Sequence, residues 1–259
     1  FKHFRNITLN MDAASGPPNM NPLNRELTVI FCITGDNFSN KFLLAWTTLF
    51  NYCLTHGIRP LISNYTSNTQ SRHHTRNMCL GSVVQKGNGQ QPFNGEIPYD
   101  FVMFIDSERM FGVEDFINLL KEDKDVVSGG YLIEKGNEKV FDVVQDCSKE
   151  AVARKGGYEH LTIDEVVVMK KKQEAHLLTV DYMGAGWLLL KKGVLESLSY
   201  PWFKSEPNCY DYTDPSGNVV PVTDSEMEMW SFCSTLREKG YTLNVNLNSL
   251  VGTERVGLL

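Results

Sequence analysis

The chain has 259 residues, of which 42% are hydrophobic and 22% are charged, and its formal net charge is −6. This composition allows a sizeable core in one compact α/β unit. Because acidic residues outnumber basic ones, we expect no nucleic-acid partner.

The six cysteines are scattered, with no Cys-x-x-Cys pair and no disulfide-rich spacing. This usage predicts free thiols in a reducing compartment, and so a cytoplasmic location. No apolar run approaches the roughly 20 residues that a membrane-spanning helix needs, so we expect no membrane span. The composition leaves the oligomeric state open.

The first elements predict a strand, a helix and a second strand after an amino-terminal arm at residues 1–24. Residues 27–33 form a continuous apolar run, typical of a strand buried on both faces. From Ser39, apolar residues recur at three- and four-residue spacing, which predicts a helix capped by Ser39 or its neighbour. Residues 60–63 suit a second strand. The polar stretch 64–77 is predicted to be a loop.

The rest of the chain predicts further alternation of strands and helices. A third strand, 100–105, ends at Asp106, and a helix follows at 113–121. Residues 241–251 alternate apolar side chains with asparagines, which predicts a half-exposed strand. The other predicted strands are 125–131, 140–144, 177–180 and 187–190, and the other predicted helix is 225–239.

An acidic triplet, Asp106-Ser107-Glu108, stands at the end of the third predicted strand. Alternate residues of an extended segment project to the same side, so both carboxylates can reach one cation. Mg²⁺ or Mn²⁺ suits such oxygen ligands. The alternative is a solvated strand end without a ligand, because acidic pairs are common.

Four segments stand out along the chain: 34–39, 101–111, 180–187, and 201–203 together with 224–233. In their order and spacing they resemble the GT-A glycosyltransferases. Residues 101–111 are similar to the D-x-D segment of that family, with Glu108 in place of the second Asp. The likeness covers roughly residues 27–255, and small glycosyltransferases of large algal (chlorella-type) DNA viruses, including the rhamnosyltransferase domain, are the most similar group within it.

The resemblance implies an α/β GT-A fold, with a Rossmann-like mixed sheet flanked by helices and a smaller acceptor-side sheet. One domain, 25–259, would have a nucleotide-binding half at about 25–112 and an acceptor half at about 113–259. The implied activity is metal-dependent transfer of a hexosyl or deoxyhexosyl group from a nucleoside diphosphate donor, expected to be UDP-linked, to a carbohydrate or glycan hydroxyl. Mn²⁺ or Mg²⁺ is the implied cofactor, and a viral origin would place the protein in the host cytoplasm.

The resemblance also implies the residues that bind the donor. Asp106 and Glu108 would hold the metal ion. Many members carry a His after Val-Gly as a further metal ligand, whereas Thr253 follows Val251-Gly252 here, which puts metal affinity in doubt. The residues implied in nucleotide or sugar binding are Thr34, Gly35, Asp36, Arg72, Arg76, Asp106, Ser107, Gly184 and Gly186.

Four carboxylates are the implied candidates for catalysis. One of Asp224, Glu226 and Glu228 would act as general base in an inverting reaction, or position the donor in a retaining one. Acidic residues at a helix start are also favoured by capping and by the helix dipole. Met229 stands where a second acidic residue is usual. Asp181 would bind a donor or acceptor hydroxyl, or else cap the glycine bend.

Two other functions remain open from the sequence. A nucleotidyltransferase also places acids and metal at a strand end, but segment 34–39 lacks the basic residue expected of its phosphate loop. A carbohydrate-binding module that kept the fold without catalysis is the second alternative.

Overall fold

The computed structural model describes residues 25–65, 71–172, 176–224 and 228–254. The predicted arm at 1–24 and Glu226 lie outside these residues. The helices are α1 (Asn40–Thr55), α2 (Arg72–Cys79), α3 (Val113–Lys121), α4 (Lys149–Lys155), α5 (Ile163–Lys171) and α6 (Glu228–Glu238). The strands are β1 (Leu27–Thr34), β2 (Ile58–Tyr65), β3 (Phe101–Asp106), β4 (Arg109–Met110), β5 (Val126–Lys135), β6 (Glu138–Val144), β7 (His160–Thr162), β8 (Leu177–Val180), β9 (Tyr182–Met183), β10 (Trp187–Lys191), β11 (Asn208–Thr213), β12 (Val219–Asp224) and β13 (Leu243–Thr253).

A mixed sheet forms the centre of the fold, in the order β2-β1-β3-β10-β5-β13-β4. Strand β1 pairs in parallel with β2 and β3, whereas β10 runs antiparallel to β3 and β5. Strands β11 and β12 form a separate two-stranded sheet. The predicted fold class, an α/β mixed sheet flanked by helices with a smaller second sheet, is confirmed.

Alternate residues of β1 enter two hydrophobic cores on opposite faces of the sheet. Val29 and Phe31 pack in the core that includes Phe42 of α1 and Phe116 of α3. Ile30 and Cys32 pack in the larger core on the other face, with residues of α6. Because a strand buried on both faces needs apolar residues at every position, the unbroken apolar run of β1 is explained.

The predicted loop at 64–77 is wrong in part, because α2 begins at Arg72. Its buried face carries Thr75, Arg76 and Asn77 together with Cys79, so the apolar periodicity that reveals most helices is absent. Asn77 fixes the helix by donating from Nδ2 to the Phe203 carbonyl at 2.6 Å and accepting from the Phe203 amide at 3.1 Å.

The strand predicted at the carboxyl end is present as β13. The prediction that it is half-exposed is wrong, because β13 is largely buried. Asn246 is only 1% exposed, and its Nδ2 donates to the Asn118 carbonyl and to Glu122 at 2.9 Å each. Asn244 is likewise buried and donates to the Val126 carbonyl at 3.1 Å. These amides are buried at low cost because they are hydrogen-bonded.

The described residues can be compared with two features of the sequence, its lack of long apolar runs and its scattered cysteines. No helix in that part of the chain is long and apolar enough to cross a membrane. All six cysteines are free thiols, and all but Cys209 are buried.

Candidate functional site

The candidate site lies where β1 and β3 end side by side. Thr34 pairs in register with Asp106, and the Ser107 amide donates to the Thr34 carbonyl at 2.8 Å. Gly35 follows with a φ of 135°, and a Cβ there would clash with the Ser107 side chain. Glycine at this position therefore lets the two strand-end loops meet. Ligands of open α/β sheets bind at this edge.

Asp106 is held by a hydroxyl and by guanidinium groups. Its side chain is 7% exposed. Thr34 Oγ1 donates to Oδ1 at 2.6 Å, and Arg76 Nη2 donates to the same oxygen at 3.1 Å. Arg72 Nη1 lies 3.5 Å from Oδ2. The two arginines come from α2, the segment predicted as a loop, so the helix carries two positive charges to the strand end.

The charge of Asp106 is stabilised despite its burial. Burial alone would raise the pKa of this carboxyl, but Arg76, Arg72, Arg109 and the Thr34 hydrogen bond lower it to about 2. Asp106 is therefore ionised at neutral pH.

Glu108 and Arg109 form the second half of the site. Arg109 Nη2 donates to Glu108 Oε1, and Arg72 Nη2 lies 3.6 Å from the same oxygen. Arg109 Nη1 donates to Thr253 Oγ1, which in turn donates to the Leu132 carbonyl at 3.1 Å. The Arg109 guanidinium stacks over the Tyr131 ring, with its Cζ 3.8 Å from the ring centroid. This arginine is 2% exposed.

Three guanidinium groups thus face two carboxylates. We call Arg72, Arg76, Arg109, Asp106 and Glu108 the arginine–carboxylate cluster. The cluster carries one positive charge in excess. With Asp142, which lies behind Arg109, the charges balance, so it is the fork geometry of the guanidinium groups that suits phosphate oxygens.

Behind Arg109, two tyrosines share one carboxylate. Tyr131 donates to Asp142 Oδ2 at 2.8 Å, and Tyr182 donates to Oδ1 at 3.1 Å. Burial, together with the Asp142 charge, raises the pKa of each phenol well above its ordinary value, so both stay protonated and act as donors.

Gly184 and Gly186 make room for these side chains. A Cβ at Gly184 would clash with the Tyr131 hydroxyl and the Asp142 carboxylate. A Cβ at Gly186 would lie 2.8 Å from Arg109 Nε and 2.9 Å from Asp106 Oδ2. The glycines therefore allow the cluster to pack against β10, and their predicted contact with a ligand stays a prediction.

Two pockets adjoin the cluster and share Arg72 and Glu108 in their walls. The smaller has a volume of about 170 Å³ and the larger of about 640 Å³. The smaller brings together most of the residues predicted to bind nucleotide, namely Thr34, Gly35, Asp36, Arg72, Asp106 and Ser107, with Thr75. The larger is lined by side chains that include Arg109, Tyr131, Glu134, Lys139, Asp142 and Thr253.

Of the four predicted catalytic carboxylates, only Asp181 has a described side chain. Asp181 lines neither pocket, and its Oδ1 lies 3.1 Å from Arg237 while Oδ2 accepts from the Cys147 amide at 2.9 Å. Neither contact is with the glycine bend that Asp181 was alternatively predicted to cap, and its catalytic role stays a prediction. Asp224 is the last residue of β12 and Glu228 the first of α6. The catalytic roles of Asp224, Glu226 and Glu228 remain predictions.

Arginines already contact the two carboxylates, Asp106 and Glu108, that were predicted to hold a divalent cation. Among the described residues, no group of three or more His, Cys, Asp or Glu side chains is arranged to hold a metal ion. The facing oxygens of both carboxylates are already near arginines, and Arg109 Nη2 lies 4.0 Å from Asp106 Oδ2. The metal site stays a prediction that this charge arrangement disfavours.

Sequence reasoning missed Arg109, Tyr131 and Asp142 as site residues. Arg109 directly follows the acidic triplet, so a basic residue beside two acids was the available signal. Tyr131 and Asp142 lie on the hairpin of β5 and β6, and no local motif marked them.

Comparison with known proteins identifies no family. No known protein family and no curated protein matches the chain. Among solved structures, the chain is similar to A197 from STIV, with 15% sequence identity and a TM-score of 0.44, over 88% of this chain and 82% of that one. It is also similar to GalNAc-T7, solved with UDP, GalNAc and Mn²⁺, with 9% identity and a TM-score of 0.44, over 90% of this chain and 44% of that one. Likenesses of this degree do not identify an activity.

Proposed function

We propose that the chain is a GT-A glycosyltransferase that moves a sugar from a nucleoside diphosphate donor, UDP-linked, to a hydroxyl of a carbohydrate acceptor. The observation that carries the proposal is the pair of pockets at the ends of β1 and β3, which meet at the guanidinium groups of the arginine–carboxylate cluster. A nucleotide sugar has the matching order of parts: a nucleoside, a diphosphate and a sugar.

In this proposal the smaller pocket takes the nucleoside. It is lined by Thr34, Asp36 and Thr75, which carry hydrogen-bonding groups for ribose and base. The diphosphate lies at the shared wall, against Arg72, whose side chain is 65% exposed and so is open to a ligand. Arg72 is also the first residue of α2, where the helix dipole favours an anion.

The larger pocket takes the donor sugar and the acceptor. Its volume of about 640 Å³ falls in the range of small-molecule sites. Glu134, Lys139 and Asp142 give it polar groups that suit sugar hydroxyls. The carbohydrate class of the acceptor is taken from the resemblance of the sequence segments to the family.

The cluster would assist departure of the diphosphate. Negative charge accumulates on the leaving phosphate as the glycosidic bond breaks, and fixed guanidinium donors stabilise that charge. The proposal keeps Asp224, Glu226 and Glu228 as candidates for the base that accepts the acceptor's hydroxyl proton. Replacing each in turn by its amide, and comparing kcat, identifies the base.

A panel of nucleoside diphosphates and their sugars tests the proposal. We expect UDP to bind in calorimetric titration, and at least one UDP-sugar to be hydrolysed slowly in the absence of an acceptor. The R72M variant should bind UDP about tenfold more weakly, because a charge-assisted contact to phosphate is lost. The matched control is R59M, since Arg59 is an exposed arginine on β2 that lines neither pocket.

Two outcomes would contradict the proposal. Failure of every nucleoside diphosphate in the panel to bind would remove the donor site. Binding without turnover of any sugar nucleotide would favour the non-catalytic module instead.

A further inference from the structure

The guanidinium of Arg109 fills the space between the groups that were predicted to hold a cation. It donates from Nη1 to Thr253 and from Nη2 to Glu108, and Nη2 is 4.0 Å from Asp106 Oδ2. Thus one positive group already contacts Glu108 and approaches Asp106. A second cation on the same oxygens would have to displace it.

The fold fixes Arg109 in this position. Strand β4 pairs antiparallel with β13, and the register places Thr253 opposite Arg109. The Tyr131 ring supports one face of the guanidinium, and Tyr131 is itself held by Asp142. Gly186 leaves the room that the side chain needs. The charge is therefore preorganised and does not have to be recruited from solution.

Arg109 keeps hydrogen-bonding capacity for a ligand. A guanidinium has five N–H donors, and the contacts to Thr253 and Glu108 account for one each. Among the described residues its Nε has no hydrogen-bond partner, but Nε is buried against Gly186, so the donors that remain for a ligand are on Nη1 and Nη2. The side chain also lines the larger pocket, next to Arg72 at the shared wall. A diphosphate at that wall would lie between two guanidinium groups.

We propose that Arg109 is a built-in cation that takes the place of a divalent metal ion, so that the nucleoside diphosphate binds without metal. This inference rests on the proposed function, because it concerns the donor of that reaction. Arg109 contacts the phosphates together with Arg72, while Glu108 and Thr253 orient its guanidinium. Asp106 and Glu108 act as anchors of arginines and not as metal ligands.

Titration of the purified chain with UDP, GDP, ADP, CDP and dTDP tests the inference directly. Each titration is done once in EDTA and once in excess Mn²⁺, and heat of binding is the readout. We expect the dissociation constant of the bound nucleotide to agree within about threefold between the two conditions. We also expect Mn²⁺ alone to show no binding in the absence of nucleotide, measured by its electron paramagnetic resonance signal.

Two variants assign the effect to Arg109. R109M removes the charge at similar length, and we expect it to weaken nucleotide binding in EDTA by about 10- to 100-fold. R109K keeps the charge and should retain more of the affinity than R109M. R59M is the matched control and should bind as the unaltered chain does. Circular dichroism establishes that each variant is folded, and the metal comparison on the unaltered chain stands even if R109M fails to fold.

The outcomes separate this inference from the proposed function. Binding that occurs only with Mn²⁺ would overturn the inference and leave the glycosyltransferase proposal in place. Equal binding by R109M and the unaltered chain would likewise overturn it. No binding of any of the five nucleotides under either condition would contradict the proposed function, and the inference with it.

Discussion

At the scale of single residues, Asp106 belongs to the candidate site and also contributes to the stability of the fold. It is buried, and it accepts hydrogen bonds from Thr34 and Arg76 while lying near Arg72 and Arg109. A buried cluster of this kind tolerates loss of one partner poorly, because the remaining charges are left without compensation.

Replacing Asp106 by Asn should therefore destabilise the fold as well as the site. We expect D106N to lower the free energy of unfolding by about 3 kcal/mol, because the neutral amide leaves buried Arg76 and Arg109 with too little negative charge. Urea unfolding measures the change. D36N is the control, since Asp36 is exposed, and it should shift stability by less than about 0.5 kcal/mol. Equal stability of D106N and the unaltered chain would contradict this description of the cluster.

The cysteines give a second prediction at this scale, on thiol reactivity. Burial raises the pKa of Cys53 and Cys233 to about 12 and that of Cys79 to about 11. Since the thiolate is the reactive form, these thiols should be inert at pH 8 while exposed Cys209 reacts. Ellman's reagent should therefore detect one fast thiol in the native chain and six after denaturation. In C209S the fast thiol should disappear, and a fast thiol that persists would refute the prediction.

At the scale of elements, the sequence was informative where apolar patterns reflect burial. The spacing of apolar residues predicted α1 and α3, and the apolar run predicted β1, because each buries apolar side chains. Helix α2 was missed and β13 was predicted to be half-exposed because several of their buried residues, such as Asn77 and Asn246, are polar and hydrogen-bonded inside the fold. Likewise, the apolar run at 100–105 predicted that Asp106 stands at a strand end, whereas the contact of Arg109 with Thr253 joins residues 144 positions apart and has no local signal.

Strand β13 depends on its buried asparagines. Asn246 Nδ2 donates to the Asn118 carbonyl and to Glu122, and its Oδ1 accepts from the Asn248 amide at 2.8 Å. We expect N246A to lower the free energy of unfolding, measured in urea, by about 2–3 kcal/mol, because the Asn118 carbonyl, the Glu122 carboxylate and the Asn248 amide each lose a hydrogen-bond partner. N51A is the control on the exposed face of α1, and its cost should be within about 0.5 kcal/mol. A similar cost for both variants would argue that the Asn246 bonds contribute nothing.

The bend between β9 and β10 depends on the absence of a side chain at Gly186. An alanine there would press its Cβ against Arg109 Nε, Asp106 Oδ2 and the Tyr131 ring. We expect G186A to lower the free energy of unfolding by about 1–3 kcal/mol by overpacking, and to weaken nucleotide binding as well. The control is G89A, because a Cβ at Gly89 meets nothing within 4 Å. If G186A matched G89A in both measurements, the close packing described at the cluster would be wrong.

At the scale of the whole molecule, strands distant in sequence converge on one edge of the sheet. The cluster draws on the ends of β1 and β3, on α2, and on the β4–β13 pair. The two predicted halves contribute to the same sheet, since β3 pairs with β10. The pockets on either side of Arg72 and Glu108 lie at this convergence, and the proposed function depends on their joint use by one ligand.

The central claim is that one nucleoside diphosphate ligand binds at the two pockets on either side of Arg72 and Glu108. A crystal structure of the chain with that nucleotide, grown in EDTA, tests this claim most directly. The account predicts the nucleoside against Thr34 and Thr75, with the diphosphate in contact with Arg72 and Arg109. A nucleotide bound away from the ends of β1 and β3 would contradict it.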